Sequence, residues 1–286
     1  MANTLHTITL PVRGDGKGDN VFAHAAHIAH RFAAHVKVLH CHPSPQDFMP
    51  FGVAVPGVVR AQIEEAAKNQ AENEAQSLRA EFRTLAATLG LPESAPGSGK
   101  ASASFVEYTG KQIDAVRTHG RLVDLICVPQ PDSRLNLGAN TLKAALFSSG
   151  RPVMMCPERE GPIESIGKTI TIGWNGSMEA TRAVVNAMPF LTRADSVTIL
   201  TTGATPHAAS AEDLQAYLAL RDTTAYINRF ETNDNIGKAL LEKSSELGSD
   251  LLVMGAYHDS YERETLFGGN TQAVVEQAAF PVLFVH

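Results

Sequence analysis

No apolar stretch in the 286 residues reaches the ~18 positions that a membrane-spanning helix needs. The N-terminus also lacks the basic-then-apolar layout of a secretory signal. Together these absences set the expectation of a cytoplasmic protein with no membrane partner. Basic runs are missing too: 24 Lys and Arg face 30 Asp and Glu, so nucleic acid is not expected as a partner. Cysteine is sparse and odd in number. Cys127 and Cys156 fall in apolar runs, which reads as buried reduced thiols, and Cys41 leaves no pairing pattern. Nucleophile signatures are absent, with no Gly-x-Ser-x-Gly elbow, Cys-x-x-Cys pair or His-Glu-x-x-His helix. No catalytic residue is assigned.

What the chain does contain is a repeat. His6-Thr-Ile-Thr-Leu10 returns as Lys168-Thr-Ile-Thr-Ile172. Val123-Asp-Leu-Ile-Cys127 followed by Arg151-Pro-Val-Met-Met155 returns as Ser249-Asp-Leu-Leu-Val253 followed by Phe280-Pro-Val-Leu-Phe284. Gly138-Ala-Asn-Thr141 returns as Gly268-Gly-Asn-Thr271. So long a period means two fused globular units, each large enough to bury a core. The units are assigned to residues 1–157 and 168–286, with the link at Pro157–Gly167, a stretch holding Pro157, Gly161, Pro162 and Gly167.

Short apolar runs rich in β-branched residues predict strands covered on both faces. In the first half they are Thr7–Val12, His35–Cys41, Ser102–Tyr108, Leu122–Val128 and Pro152–Cys156. In the second they are Thr169–Trp174, Ser196–Thr201, Ala225–Phe230, Asp250–Met254 and Pro281–Val285. Helical periods lie between them. Val21, Ala25, Ile28, Phe32 and Val36 form one stripe, Gly57–Leu89 is long and rich in Ala and Glu, and Ala211–Leu220 is short. Ile236–Leu247 meets Gly248 as a C-terminal stop, and Gln272–Ala279 follows the last glycine pair. Five strands with helical crossovers per half predict an α/β fold of two Rossmann-like domains. Each is an open parallel sheet with helices on both faces.

In such sheets ligands sit beyond the carboxyl ends of the strands. Met254-Gly-Ala-Tyr-His258, then nine residues, then Gly268-Gly-Asn-Thr271 places glycines and a helix start there. Unpaired first-turn amides suit phosphate, and the Thr271 hydroxyl can cap the helix or add a hydrogen bond. On these residues the chain resembles a tandem universal stress protein over both halves. That family's nucleotide signature is Gly, two residues, Gly, nine residues, Gly, then Ser or Thr. Here it reads Gly255, Ala256-Tyr257, His258, nine residues, Gly268 and Gly269, with Asn270 and Thr271 after it. The resemblance implies ATP, with or without Mg²⁺, as the ligand of the second domain. ATP-binding members place an Asp after the first strand to meet adenine or ribose; Asn175, beside Trp174, holds that position here. Thr202 matches a backbone contact to the adenine. The sequence departs from the pattern at His258, which replaces the second glycine, and at the neutral Asn175.

The first half departs further. Pro129 and Asp132 stand where glycines belong, Arg13 stands for the adenine-contacting Asp, and Pro129 to Gly138 is nine residues. That proline removes an amide donor and Asp132 repels phosphate, so this site is read as degenerate, with Gly138, Asn140 and Thr141 serving the helix start. The resemblance also implies that Pro152–Cys156 and Pro281–Val285 meet across an intramolecular pseudo-dimer, as single-domain relatives meet in homodimers. The expected role is regulatory binding of an adenine nucleotide in stress response. The rivals are slow ATP hydrolysis and a nucleotide-free scaffold acting through protein partners. A further rival is an apolar ligand under the Gly57–Leu89 helix, suggested by Phe48, Phe51, Val53, Val55 and Val58. His24, His27, His30, His35, His40 and His42 are read as solvated histidines and not as a metal site. Asp259, Glu262 and Glu264 are read as a solvated face, although one could hold Mg²⁺ if ATP binds. Trp174 is read either as a wall of the crevice or as a packed aromatic.

Overall fold

The computed structural model describes residues 4–12, 18–42, 44, 56–97, 99–132, 135, 137–203, 208–256 and 269–286. The first half runs β1 (Thr7–Val12), α1 (Gly18–Phe32), β2 (His35–His42), α2 (Gly57–Thr88), β3 (Ser102–Thr109), α3 (Gln112–Gly120), β4 (Leu125–Pro129), α4 (Ala139–Ser148) and β5 (Val153–Cys156). The second runs β6 (Thr169–Gly173), α5 (Met178–Leu191), β7 (Ser196–Thr201), α6 (Ala211–Ala219), β8 (Tyr226–Arg229), α7 (Ile236–Glu246), β9 (Leu251–Gly255), α8 (Gly269–Gln277) and β10 (Val282–Val285). Among the described residues no helix is long and apolar enough to cross a membrane.

All ten strands join one sheet in the order β3-β2-β1-β4-β5-β10-β9-β6-β7-β8. Within each half every pair is parallel, as the crossover helices require. The halves meet through the antiparallel pair β5–β10, where Leu283 faces Met154 and Val282 faces Met155. The expected pairing of the two closing strands is present. The sheet is therefore continuous, not two separate sheets.

Side-chain alternation divides the core between the two faces. Met154, Cys156 and Leu283 pack with α1, α2, α5 and α6; Val153, Met155, Val282 and Phe284 pack with α3, α4, α7 and α8. Both cores run across the junction. The repeated Asp explains itself here. Asp124 accepts hydrogen bonds from His6 N (2.8 Å) and Thr7 N (2.9 Å), and Asp250 accepts from Gly167 N (2.9 Å) and Thr169 N (3.1 Å). Each carboxylate ties the start of its half's first strand to the strand beside it.

Four expectations need correction. Val36 belongs to β2, because α1 ends at Phe32 and Ala33 turns the chain with φ +55°. The run from Leu122 starts as a strand only at Leu125; Leu122 is exposed at a turn. Among the described residues the outermost strand β8 has no neighbour on one side and β3 has there only the bridge of Ala103 to Glu93; both are only partly covered, with Tyr226 exposed. The helix expected from Gln272 starts earlier, at Gly269.

Candidate functional site

The strand order of the second half reverses between β6 and β9, and a cleft of about 180 Å³ opens there beyond the carboxyl ends of β6, β7 and β9. Trp174, Asn175, Thr202, Met254, Gly255, Asn270 and Thr271 all line it. These residues come from four separate stretches of sequence, and the sheet topology brings them together. Gly269 is not on the wall. Its carbonyl accepts a hydrogen bond from the Asn235 side chain (2.8 Å), which also caps α7 by accepting from Lys238 N (3.2 Å). His258, Gly268, Asp259, Glu262 and Glu264 lie outside the described residues, as do Arg13, Phe48, Phe51, Val53 and Val55.

Local chemistry sets the shape of the cleft. Asn175 closes a tight turn, its side-chain oxygen accepting from Ser177 N (3.1 Å), and Ser177 then caps α5 by accepting from Ala180 N (3.1 Å). Gly176 holds φ +72° in that turn. Gly255 is needed for a reason the sequence does not reveal. A Cβ there would sit 2.6 Å from Ala180 N and 2.7 Å from the Glu179 carbonyl carbon, so the first turn of α5 is what approaches it. Trp174 is 7% exposed, and its indole N–H donates to Ala209 O (3.1 Å). It is a packed aromatic that also borders the cleft.

Sequence reasoning missed several lining residues. Glu179, 7% exposed in the first turn of α5, is part of the cleft wall. An acid in the turn after a Ser cap is a helix-start signal, and nothing in the sequence ties it to a ligand. Phe230 and Leu240 supply apolar wall and belong to a small core cluster with Leu200 and Ala239.

In the first half the described ends of the corresponding loop are held together. Asp132 and Leu137 exchange backbone hydrogen bonds (3.0 and 3.1 Å), and Gly138, at φ +84°, has Pro131 Cα 3.2 Å from where a Cβ would stand. Gln130 reaches across to donate to Val275 O (2.9 Å) and Ala278 O (3.2 Å) of the second half. The Thr141 hydroxyl donates to Gln112 (3.1 Å). These groups tie the loop to the second half and α4 to α3.

The histidines are not all solvated, which corrects that expectation. His24 is 1% exposed with Nδ1 on Asn20 O (2.7 Å); His35 is buried between the hydroxyls of Ser102 (2.9 Å) and Ser104 (2.8 Å); His40 is 1% exposed. Strand and helix positions facing the core take them in, and hydroxyl or carbonyl partners serve His24 and His35. Among the described residues no group of three or more His, Cys, Asp or Glu is placed to hold a metal ion. Cys127 and Cys156 are buried and free, and burial raises the Cys156 thiol pKa well above its usual value.

A ten-stranded sheet of two crossover halves with a cleft at a strand switch point defines a doubly wound α/β protein. No family model and no curated protein matches the sequence. Solved structures do match the fold. A universal stress protein from Archaeoglobus fulgidus DSM 4304 superposes with a TM-score of 0.65 at 14% identity, over 99% of this chain and 97% of that one. A functionally unknown protein from Pseudomonas aeruginosa PAO1 reaches 0.55 at 15% identity, over 99% and 93%. A chain from Pseudomonas aeruginosa UCBPP-PA14 reaches 0.54 at 17%, over 99% and 94%. The fold is that of a universal stress protein in its tandem, two-unit form.

Proposed function

We propose that the chain is a tandem universal stress protein of two domains, 1–157 and 168–286, that works in the cytoplasm and binds an adenine nucleotide in the second. The observation that carries this reading is the convergence of seven expected residues on one strand-end cleft. Glu179 adds a carboxylate that can accept from a ribose hydroxyl or the adenine amino group, a role the neutral Asn175 shares. With no cluster of ligating side chains among the described residues, Mg²⁺ would arrive on the nucleotide, held by phosphates and water. The role is regulatory, and no residue is assigned to hydrolysis. Gly255 favours a second reading, a nucleotide-free scaffold, because its missing side chain already has a use in packing α5.

Thermal denaturation with and without millimolar ATP and Mg²⁺ separates the two. A ligand specific for the folded state stabilises by RT ln(1 + [L]/Kd), about 2.7 kcal/mol at 100 Kd. Thr202→Trp places an indole on the exposed rim of the cleft and should remove the shift without lowering the melting temperature of the free protein. If ATP, AMP and GTP all leave the melting curve unmoved, the scaffold reading replaces this one. A shift that survives Thr202→Trp puts the nucleotide elsewhere.

A further inference from the structure

The first half holds a larger cavity, about 350 Å³, between the sheet and the helices α1 and α2. That lies within the ~300–1,000 Å³ typical of small-molecule sites. Val12, Val38 and Phe105 form its floor, and Leu78 and Phe82 of α2 form its roof. The second half has the same groove. Adding the repeat offset of 162 carries Val12 to Trp174, Asp19 to Thr181 and Phe22 to Val184, and all three of those residues line a groove of about 240 Å³ between α5 and α6. There Trp174 is fixed, its indole tied to Ala209 O (3.1 Å). In the first half its counterpart is a valine, and the roof is a 32-residue helix where the second half has nine residues. One half has narrowed the groove with an indole, and the other has widened it and covered it with a long helix.

The rim is acidic. Among the described residues Asp19, Glu74 and Glu81 line the opening, and the Arg79 guanidinium over the Phe105 ring (5.3 Å) is paired with Glu107 (2.8 Å). An anionic head is repelled there and a cationic one attracted. A second feature points the same way. His40 lies beside the cavity wall as the register partner of Val12; its ring stacks on Phe105 (centroids 6.1 Å apart), and among the described residues its one hydrogen-bond approach is to the Val12 backbone although it is 1% exposed. Burial lowers its pKa, so it offers a neutral imidazole. A buried polar atom left without a partner is a cost that a ligand's polar atom would relieve.

We propose that this cavity binds a small single-chain amphiphile, with its apolar body beneath α2 and a cationic amine at the Asp19, Glu74 and Glu81 rim. Isothermal titration of the full chain with octylammonium, octanoate and octan-1-ol tests it. Octylammonium should bind at least about tenfold more tightly than octanoate or octanol, and saturating ATP should not displace it. Val12→Trp, which copies the indole of the second half, should narrow the cavity and clearly weaken binding. The pair Glu74→Gln and Glu81→Gln should erase the preference for the amine while leaving binding of the apolar body. Should Val12→Trp not fold, Leu78→Trp fills the cavity from the partly exposed roof helix instead. The proposal is overturned if none of the three probes binds, or if the filled variants bind as the parent does. It is equally overturned if octanoate or octanol comes within tenfold of octylammonium.

Discussion

Several polar side chains in this protein hold backbone. Asp124 and Asp250 each collect amides from the start of a first strand, and His24 anchors on the Asn20 carbonyl one turn earlier in α1. Burial lowers the pKa of His24 in the fold, with Arg159 and His27 adding to the effect against the Asn20 carbonyl; burial, then Lys37, lowers that of His35. In the unfolded chain these rings titrate near 6.5. The unfolded state then binds protons that the folded state refuses, so stability present above about pH 6.5 is lost as pH falls toward the folded-state values. Melting temperature should decline from pH 7.5 to 5.5, and His24→Gln should flatten the decline. A slope identical to the parent's would show that His24 is not the group responsible.

Among the elements, close approach of backbones sets the geometry of the candidate site. Gly255 lets the first turn of α5 rest on the end of β9, and Gly237 lets α7 pass Asn270 at the start of α8, where a Cβ would lie 2.1 Å from the Asn270 carbonyl oxygen. Gly255→Ala should therefore destabilise the nucleotide-free protein by about 1–3 kcal/mol, the usual cost of overpacking. Urea denaturation measures it, and an unchanged midpoint would return the glycine to the ligand. The sequence shows a glycine at a strand end, and a phosphate or a helix would need it equally. Only the position of α5 distinguishes them.

For the molecule as a whole, the duplication has become a symmetric interface. Arg31 donates to Arg193 O and Arg193 donates to Arg31 O (2.6 and 2.9 Å), residues 162 positions apart that occupy equivalent sites in the two halves. Such reciprocity marks a two-fold contact, here within one chain. Phe32 packs edge-on against Phe190 (5.2 Å) with the Arg193 guanidinium over its face (4.5 Å). Phe32→Ala should cost about 3–5 kcal/mol, as deletion of a buried aromatic does. Trp174 is the chain's single tryptophan, so its fluorescence reports the second half while circular dichroism reports both. The two signals should move together in the parent and in Phe32→Ala; separate transitions would mean that the halves unfold independently.

The repeat, the ten strands and the long helix were all legible in the sequence. Each is written in local pattern: alternation, period and punctuation by glycine and proline act over a few residues. The convergence of Asn175, Thr202 and Asn270 on one cleft was legible as well, because strand-end positions follow from order along the chain once the fold class is known. Other features depend on distance between residues far apart in sequence. The burial of His24, His35 and His40, the place of Glu179 in the cleft wall, and the helix resting on Gly255 belong to this group. So does the exchange of Trp174 for Val12, which reads as two unrelated hydrophobic residues until α5, α6, α1 and α2 are laid over the sheet. Local free energies chose the elements, and packing across the whole sheet decided which of their side chains face a ligand and which face one another.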